Sequence, residues 1–405
     1  MSIKVKIIND PVYGFIRFPE PELIRVIDSA WFQRLRSIKQ MGMAHLVYPG
    51  AVHSRLAHSL GACHLLGKAL DELKAKDISP DKDECLAGRL AALLHDIGHG
   101  PFSHSLERSL VGGISHETLS RIIMQRMNLE FGGLLDKTLQ VFDHSYPRKY
   151  LHQLVSSQLD VDRMDYLNRD SFYTGVSEGV IGYDRILQML TVHDNELMVE
   201  EKGVYSVEKF IIARRLMYWQ VYLHKTVLGS EMLLINILKR AKELALQGRE
   251  LFASPALNYF LSRNLTEQDF YDDPQHLDRF CELDDNDVMV SIKVWQSHED
   301  KILSVLCKML VLRKLYKVVL ASNSLEGMVE EKKKQAQLLL GIKEEDLHYF
   351  VFTGITSNNT YNSTEELIKI ETKKGLIKNI TEIDDSLVNQ TLARSVHKNY
   401  ICFIQ

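Results

Sequence analysis

The sequence predicts a mainly α-helical fold, with a helical bundle over residues 1–310 and a smaller C-terminal α+β domain over residues 311–405. Apolar residues recur at helical spacing through most of the first 310 positions, whereas short β-rich runs and one charged helix follow. A chain of 405 residues is too long for one small core, so one large and one smaller domain are expected. The hydrophobic fraction of 45% and the charged fraction of 25% are typical of soluble globular proteins.

Helices make up most of the predicted elements before residue 311. The apolar periodicity predicts helices at 22–40, 56–75, 84–97, 115–128, 149–158, 160–171 and 207–246, with further helices to about 310. One interruption is expected, a hairpin in which runs 196–200 and 204–207 flank Lys202-Gly203. In the tail, strands are predicted at 317–320, 348–352, 368–372, 376–380 and 400–404, with a helix at 325–340. Lys374-Gly375 is a hairpin signal between the third and fourth of these strands.

Composition and charge narrow the classes of function. No apolar run reaches the length of a membrane span, and the first residues lack the apolar segment of a signal peptide. The five cysteines are widely spaced, with no Cys-x-x-Cys pair, which indicates reduced thiols and argues against a cysteine zinc site. A net charge of −4 gives no electrostatic case for nucleic-acid binding. We therefore expect a cytoplasmic protein whose partners include neither a membrane nor a nucleic acid.

Histidines are concentrated in one part of the chain, where metal-ligand side chains stand next to each other. Ten of the sixteen histidines lie between residues 45 and 152. In the run His95-Asp96-Ile97-Gly98 an imidazole adjoins a carboxylate, and His99 follows His95 by four residues, on the same helical face. Because adjacent helical residues project about 100° apart, one ion contacts both His95 and Asp96 only from the groove between them. A metal-dependent hydrolytic site is the natural interpretation, with His45, His64, His144 and His152 as ordinary core or surface residues.

Two further segments carry polar residues at helical spacing. Arg55 precedes His58 by three residues, on the same face of a predicted helix. Asp162, Tyr166 and Asp170 are spaced i, i+4, i+8, so one helix can present two carboxylates and a phenol in a line. Such a stripe is more often a solvated face, and the His-Asp pair upstream is what favours a functional interpretation.

These motifs resemble the signature of the HD-domain phosphohydrolases, in which a histidine, a His-Asp pair and an aspartate are distributed along the chain. The flanking residues narrow the resemblance to the deoxynucleoside triphosphate triphosphohydrolases, of the type that joins a SAM domain to the HD domain, here without the SAM domain. The resemblance runs from about residue 6 to 230. The motifs that carry it are Asp10-Pro11-Val12-Tyr13-Gly14, Trp31-Phe32-Gln33-Arg34-Leu35-Arg36, Tyr48-Pro49-Gly50, His58-Ser59-Leu60-Gly61, the stretch from His95 to His104, and Asp160-Val161-Asp162-Arg163-Met164-Asp165-Tyr166.

The resemblance implies a role for each matching residue. One divalent transition metal (Mn, Fe, Ni, Co or Zn) is held by His58, His95, Asp96 and Asp162, and Mg²⁺ accompanies the nucleotide. His116 matches the catalytic histidine and is grouped with Glu117, His99 and Glu107. The sequence alone is equally compatible with His116 as a helix N-terminal residue after a Ser115 cap. The implied substrate contacts are Gln40, Met41, Arg55, His104, Arg163, Tyr166, Asp170, Arg214 and Tyr222.

Three positions depart from the family's pattern. Glu107 stands in place of a shorter carboxylate, Arg163 in place of a lysine, and Met41 in place of a leucine. The resemblance also implies a homo-oligomer, either a dimer or a tetramer, and a nucleotide activator. The alternative for the activator residues is a simple intrahelical pair of Asp28 and Arg36. The residues that match the activator site are Asp28, Gln33 and Arg36, with Lys6 and Asn9.

The expected function is metal-dependent hydrolysis of nucleotides, in which water attacks the α-phosphorus of a dNTP and releases a deoxynucleoside and triphosphate. Two alternatives stay open: hydrolysis of another nucleotide or phosphoester by the same centre, and a regulatory protein that binds nucleotides without turnover. Alarmone hydrolases and cyclic-dinucleotide phosphodiesterases are set aside, because the residues Ile97-Gly98-His99 that follow Asp96 lack their motifs. Residues 311–405 are expected to serve structure or assembly.

Overall fold

The computed structural model describes residues 5–102, 104–107, 109–358, 361, 367–383 and 396–405, and the side chains of His104 and Asn358 lie outside the described part. The fold is mainly α-helical, as predicted. In the described part, no helix combines the length and the apolar character needed to cross a membrane. The helices are α1 (Pro21–Ile27), α2 (Ala30–Gln33), α3 (Arg55–Lys74), α4 (Lys82–Leu94), α5 (His104–Glu107), α6 (His116–Glu130), α7 (Asp136–Phe142), α8 (Lys149–Val155), α9 (Val161–Thr174), α10 (Tyr183–Gln188), α11 (Val204–Met217), α12 (Lys225–Leu246), α13 (Pro255–Leu261), α14 (Glu267–Asp272), α15 (Pro274–Cys281), α16 (Asp285–Trp295), α17 (Lys301–Val311) and α18 (Glu326–Leu340).

Short strands form three small sheets in the described residues. The first sheet is the antiparallel hairpin of β1 and β2, the second has the strand order β3-β4-β7-β8, and the third has the order β5-β9-β6. Strands β4 and β7 are parallel, and the other pairs are antiparallel. The strands are β1 (Lys6–Asp10), β2 (Gly14–Phe18), β3 (Leu190–His193), β4 (Glu196–Glu200), β5 (Lys317–Ala321), β6 (Val351–Asn358), β7 (Lys369–Glu371), β8 (Ile377–Asn379) and β9 (Val396–Phe403).

Helices α3 and α4 lie between two hydrophobic cores. Leu60 and Leu90 belong to a core that α6, α12, α16 and α17 complete, whereas Leu66 and Ala91 belong to a second core formed with α8, α9 and α11. Apolar residues therefore surround α3 on nearly every side. A polar side chain on this helix, such as that of His58, consequently needs a hydrogen-bond partner inside the protein.

The single helix predicted at 22–40 is wrong. Helix α1 ends at Ile27, Ser29 is extended, and the Ser29 hydroxyl caps α2 by accepting the amide hydrogen of Phe32. A 3₁₀ turn at Arg34–Ser37 follows. The β1–β2 hairpin was not among the predicted elements, because its outer face carries exposed Ile7 and Phe15 and so hides the alternation of a half-buried strand.

The hairpin predicted around Lys202-Gly203 is also wrong. Strand β4 pairs with β3 across Asp194 and Asn195, whose φ angles of 49° and 66° suit a tight hairpin turn. The apolar run that begins at Val204 is the start of α11. The long helix predicted at 207–246 is interrupted by a π-helical turn, Tyr218–Tyr222, and begins again as α12 after the ring of His224 accepts the amide hydrogen of Thr226.

Several predicted helices are confirmed, with one change that matters for the site. The predictions at 56–75, 115–128, 149–158, 160–171 and 325–340 correspond to α3, α6, α8, α9 and α18. The helix predicted at 84–97 corresponds to α4 but ends at Leu94. His95 and Asp96 therefore lie in the turn after α4, where backbone geometry is not restricted to the 100° step of a helix.

The C-terminal residues contribute to two sheets. Strands predicted at 317–320 and 400–404 are confirmed as β5 and β9, and the Lys374-Gly375 hairpin is confirmed as β7 and β8. The run predicted as a strand at 348–352 begins as a 3₁₀ turn and continues as β6. Because β7 pairs with β4, part of the tail completes a sheet that begins before residue 311, while β5 and β9 share a core with α12. The domain boundary at 311 stays a prediction.

The turn after α4 is pressed against the start of α6 at a glycine. A β-carbon on Gly98 would lie 2.2 Å from the carbonyl oxygen of His116 and 2.2 Å from the amide nitrogen of Ser120. Ser120 also joins the two segments, because its hydroxyl donates to the carbonyl oxygen of His95 and accepts from the amide of Gly98. The absence of a side chain at Gly98 thus sets the spacing between His95 and α6.

We expect Gly98→Ala to destabilise the protein by about 1–3 kcal/mol, because the new methyl group overlaps backbone atoms of α6 that have no free rotamer to adopt. Urea unfolding followed by circular dichroism measures this change. Gly112→Ala is the matched control, since a β-carbon there meets no described atom within 4 Å. Equal unfolding midpoints for the two variants would contradict the close approach.

Candidate metal centre

Three helices bring the four predicted metal ligands together. His58 lies in the first two turns of α3, and His95 and Asp96 follow the end of α4. Asp162 lies in the first turn of α9, a helix that begins where it does because the carboxylate of Asp160 accepts the amide hydrogen of Arg163 at 2.7 Å. These segments meet at the seam between the two cores, so residues more than 100 positions apart in sequence face one another.

The side-chain atoms of these residues converge on a small space. The Nε2 atoms of His58 and His95 are 3.3 Å apart. The Oδ1 atom of Asp162 lies 3.0 Å from Nε2 of His58 and 3.4 Å from Nε2 of His95. Asp96 lies slightly farther out, with Oδ1 3.4 Å from Nε2 of His95 and Oδ2 3.7 Å from Nε2 of His58. His58, His95 and Asp162 therefore form one compact group, and Asp96 borders it while also grouping with His99 and His116.

Hydrogen bonds on the far side of each imidazole fix which nitrogen faces that group. The Nδ1 of His58 lies 2.7 Å from a carboxylate oxygen of Asp165, and the Nδ1 of His95 lies 2.8 Å from the carbonyl oxygen of Ala92. Both acceptors require a hydrogen on Nδ1, which leaves the Nε2 lone pairs for a ligand. Two imidazole nitrogens and the carboxylate of Asp162 in one group, with Asp96 beside them, fit a divalent transition metal.

The carboxylate of Asp165 is itself held by a buried ion pair. Arg169 donates to both oxygens of Asp165 at 2.9 Å and to Asp10 at 2.8 Å. The side chains of Asp165 and Arg169 have no exposed surface. Each charged side chain of this hydrogen-bonded network has an opposite charge beside it. The buried network is therefore electrostatically compensated and holds His58 in one orientation.

Burial and neighbouring charges shift the pKa values of the ligands in opposite directions. Burial lowers the pKa of His58, but hydrogen bonds to Asp162 and Asp165 outweigh it and raise that pKa to about 10. The pKa of His95 is raised to about 9 in the same way, against burial, by Asp96 and Asp162. Although burial acts against it, the two histidines hold the pKa of Asp162 well below its usual range. Without a metal, the imidazoles are therefore protonated at neutral pH.

A second cluster adjoins the ligands and contains three of the predicted catalytic residues. The rings of His99 and His116 are stacked with centroids 3.9 Å apart, and Nδ1 of His116 lies 3.0 Å from a carboxylate oxygen of Glu107. His99 Nε2 is 3.3 Å from Asp96 Oδ1. Burial and the positive charge of Arg55 lower the pKa of His99 to about 3, so its ring is neutral at physiological pH. The predicted Glu117 is exposed in the first turn of α6.

Cationic side chains lie near the predicted metal ligands and near Tyr166. Arg55 is buried and donates to Asp96. Arg163 donates through Nε to the carbonyl oxygen of Ser157 at 2.7 Å. Arg214 is buried in α11, and its Nε makes no hydrogen bond to any described residue. A buried guanidinium with an unmatched donor favours an anionic ligand at this place.

Four of the predicted substrate residues are together called the polar wall: Gln40, Tyr166, Asp170 and Tyr222. Gln40 is connected to Asp170 through His53, whose carbonyl oxygen accepts the backbone amide hydrogen of Gln40. The Tyr222 hydroxyl donates to Oδ2 of Asp170 at 2.8 Å, and the rings of Tyr166 and Tyr222 meet edge to face with centroids 6.1 Å apart. Burial raises the pKa of Tyr166 to about 12, which keeps its hydroxyl a hydrogen-bond donor. Met41 is packed into the neighbouring core, and the side chain of His104 lies outside the described part of the chain.

The residues predicted to bind an activator make contacts among themselves. Lys6 pairs with Asp28, and Arg36 donates to the side-chain oxygen of Gln33 at 2.9 Å. These contacts replace the intrahelical pair of Asp28 with Arg36 that was the alternative. Of the histidines expected to be ordinary, His45 contacts the carbonyl oxygen of Gly42, and His152 stacks on His144.

Two residues of the site were missed at the sequence level. Asp165 stands four residues before Arg169, which is the spacing of a helical ion pair and the only local signal of its role. His53 is buried, with Nε2 2.8 Å from Oδ1 of Asp170, 117 positions away. No local pattern indicates this second contact.

A helical bundle that brings His58, His95 and Asp162 together with Asp96 beside them agrees with the ligand set that the resemblance to the HD-domain phosphohydrolases implies. The chain matches the HD domain family over residues 55–170 and the HD associated region over residues 181–254. The chain belongs to the HD-domain phosphohydrolase family, whose HD domains bind a divalent metal.

Two relatives match this chain over nearly its whole length, and a third matches part of it. The crystal structure of a phosphohydrolase from Bacteroides thetaiotaomicron is 48% identical, covers 99% of this chain and 100% of that one, and superposes with a TM-score of 0.96. The uncharacterized protein YwfO of Bacillus subtilis is 32% identical over 98% of this chain and 92% of its own length. A deoxynucleoside triphosphate triphosphohydrolase SAMHD1 homolog of Dictyostelium discoideum is 32% identical over 61% of this chain, and the chain covers 50% of that protein.

Metal binding should release protons at neutral pH. The pKa values of about 10 and 9 for His58 and His95 lie above 7, so the metal-free protein carries protons that the ion must displace. We expect at least one proton released per Mn²⁺ at pH 7, and an affinity that rises with pH up to about 10, the pKa of His58. Titration calorimetry in phosphate and in Tris, whose ionisation enthalpies differ, counts these protons. Equal apparent enthalpies in the two buffers would show that no proton leaves.

Replacing the carboxylate behind His58 should weaken metal binding without touching a ligand. We expect Asp165→Asn to lower Mn²⁺ affinity about 10–100-fold, because the neutral amide oxygen holds the Nδ1 hydrogen of His58 more weakly and no longer offers Arg169 a negative charge. Competition with a fluorescent chelator measures the affinity. Asp184→Asn, which changes an exposed carboxylate on α10, is the control and should bind like the natural protein. Equal affinities for both variants would show that Asp165 does not orient His58 for metal binding.

Proposed function

We propose that the protein is a metal-dependent nucleotide phosphohydrolase that cleaves dNTPs to a deoxynucleoside and triphosphate. The compact group of His58, His95 and Asp162, with Asp96 beside it, carries the proposal. The similarity to triphosphohydrolases over about three fifths of the chain supports the choice of substrate. Homo-oligomer formation and a nucleotide activator belong to the same proposal.

The charges around the site suit a triphosphate. Its phosphates need several cations, and Arg55, Arg163 and Arg214 lie beside the ligands and Tyr166. The donors of the polar wall suit the uncharged hydroxyl groups of a sugar. A substrate with an anionic end and a neutral polar end therefore matches the order of residues from the ligands to Asp170.

The second cluster suits proton transfer at the leaving group. A divalent metal at such a site lowers the pKa of water and draws charge from a phosphoryl oxygen. Glu107 accepts from Nδ1 of His116 and thereby directs Nε2 of that ring away from the carboxylate. His116 can then donate a proton to the 5′ oxygen as its bond to the α-phosphorus breaks. His99, neutral and stacked on His116, keeps a second positive charge away from that ring.

A nucleotide panel tests the proposal. The purified protein, loaded with Mn²⁺, Fe²⁺, Co²⁺, Ni²⁺ or Zn²⁺ in turn, is incubated with the four dNTPs and four NTPs, and ³¹P NMR identifies the phosphorus product. Triphosphate from dNTPs supports the proposal. Pyrophosphate or orthophosphate would assign another phosphoester cleavage to the same centre, and tight binding with no product would make the protein a regulator.

The roles of two histidines should separate. We expect His116→Gln to lower kcat about 10²–10⁴-fold with the metal content unchanged, because only proton donation is lost. His95→Gln should lose both the metal and the activity. Metal analysis and a coupled phosphate assay measure the two quantities, and His193→Gln, at an exposed position in β3, should change neither. Full activity in His95→Gln would exclude this centre as the active site.

A further inference from the structure

His53 contacts the polar wall and precedes helix α3, which carries the predicted metal ligand His58. It stands in the segment just before α3, two residues ahead of Arg55 and five ahead of His58. Its side chain has no exposed surface. The ring stacks on that of Tyr173 with centroids 4.4 Å apart and an interplanar angle of 18°. A fully buried histidine needs hydrogen-bond partners inside the protein.

The ring of His53 holds one side of a carboxylate whose other side is held by a phenol. Nε2 of His53 lies 2.8 Å from Oδ1 of Asp170, and the hydroxyl of Tyr222 donates to Oδ2 at 2.8 Å. The side chain of Asp170 is only 4% exposed. Since both of its oxygens are engaged from different directions, the carboxylate plane cannot rotate, and the lone pairs that remain point in fixed directions.

The backbone of His53 reaches a further member of the same wall. Its carbonyl oxygen accepts the amide hydrogen of Gln40 at 3.0 Å, and an isolated β-bridge joins Lys39 to Ser54 beside it. Gln40, Asp170 and Tyr222 come from three separate parts of the chain. His53 is hydrogen-bonded directly to Gln40 and Asp170, and it is connected to Tyr222 through Asp170. The same segment continues into the helix that carries His58, so the distance from the wall to the metal ligands is fixed through a few residues.

We propose that His53 is a positioning residue that orients Asp170 and the rest of the polar wall toward the sugar of the substrate, and so determines how well the site distinguishes deoxyribose from ribose. The inference rests on the proposed function. A hydrogen-bonding site discriminates between sugars only when its donors and acceptors are held in place, because a mobile carboxylate adapts to either hydroxyl pattern. Among the described residues, the side chain of His53 is hydrogen-bonded to Asp170 and stacked on Tyr173, so we expect its effect on the polar wall.

A pair of substitutions separates positioning from simple packing. His53→Leu fills the cavity but offers no donor to Asp170, whereas the side-chain amide of His53→Gln places an N–H near the position of Nε2. For His53→Leu we expect KM for dGTP to rise about tenfold with kcat within about threefold, and the ratio of kcat/KM for dGTP over GTP to fall about tenfold. His53→Gln should recover most of both losses. Metal content should equal that of the natural protein in both variants.

The control variant His152→Gln, at a half-buried histidine bonded to the carbonyl oxygen of Val141, should leave KM and the sugar ratio unchanged. An unchanged KM and sugar ratio in His53→Leu would overturn the proposal. So would a His53→Gln variant as impaired as His53→Leu, or an equal loss of metal in both, since these results indicate packing alone.

A binding measurement keeps this inference distinct from the proposed function. If the natural protein hydrolyses no nucleotide, the proposed function fails. The Kd values of dGTP and GTP for the Mn²⁺-loaded protein, measured by calorimetry, still report the wall. A preference for dGTP that is lost in His53→Leu and kept in His53→Gln supports the positioning role. Absence of nucleotide binding to the natural protein would overturn both.

Discussion

The buried ring of His58 is the constraint on which the rest of the site depends. With no exposed surface, both of its nitrogens need partners inside the protein. Asp165 takes Nδ1, and Nε2 is left facing His95 and Asp162. Asp165 is neutralised by Arg169, and Arg169 by Asp10. A chain of alternating charges thus runs from the end of β1 to the nitrogen that faces the metal position, and each member is compensated where water is excluded.

The position of this chain between two cores explains why it is rigid. Helices α3 and α9 approach so closely that a β-carbon on Gly61 would lie 1.9 Å from Oδ1 of Asp165. Apolar residues of both cores close the seam on either side. Because side chains in such close-packed surroundings have no alternative rotamers, the ligands are held in place before any ion arrives. This preorganisation lowers the reorganisation that metal binding requires.

Two kinds of electrostatic surroundings share the site. Near the ligands, carboxylates outweigh burial and raise the pKa values of His58 and His95, so these rings attract positive charge, either a proton or a metal ion. Next to Asp96, burial and the charge of Arg55 lower the pKa of His99, so the ring of His99 is neutral. The difference arises because burial and the charge of Arg55 outweigh the contact of His99 with Asp96, whereas carboxylates outweigh burial at His58 and His95. Histidines of one short stretch of sequence therefore have different protonation states, which local sequence does not indicate.

Much of the fold and site could be predicted from the sequence because the relevant signals are local. Periodicity predicted α3, α6, α8 and α9, and the adjacent His95 and Asp96 indicated a metal site. Predictions failed where a short polar cap or turn interrupts an apolar run, as at Ser29, Asp194 and the π-helical turn before His224. In each of these places, hydrogen bonds of one or two residues override the periodicity of their neighbours.

The sequence by itself determined the helical class and the candidate ligands, since these follow from residues within a few positions of each other. Only the tertiary structure decided that Asp165 orients His58, that His53 holds Asp170, and that β7 completes the sheet of β4. These contacts join residues about 107, 117 and 171 positions apart. Their formation depends on how whole helices pack, because the free energy that brings them together comes from the two cores and not from the contacting residues.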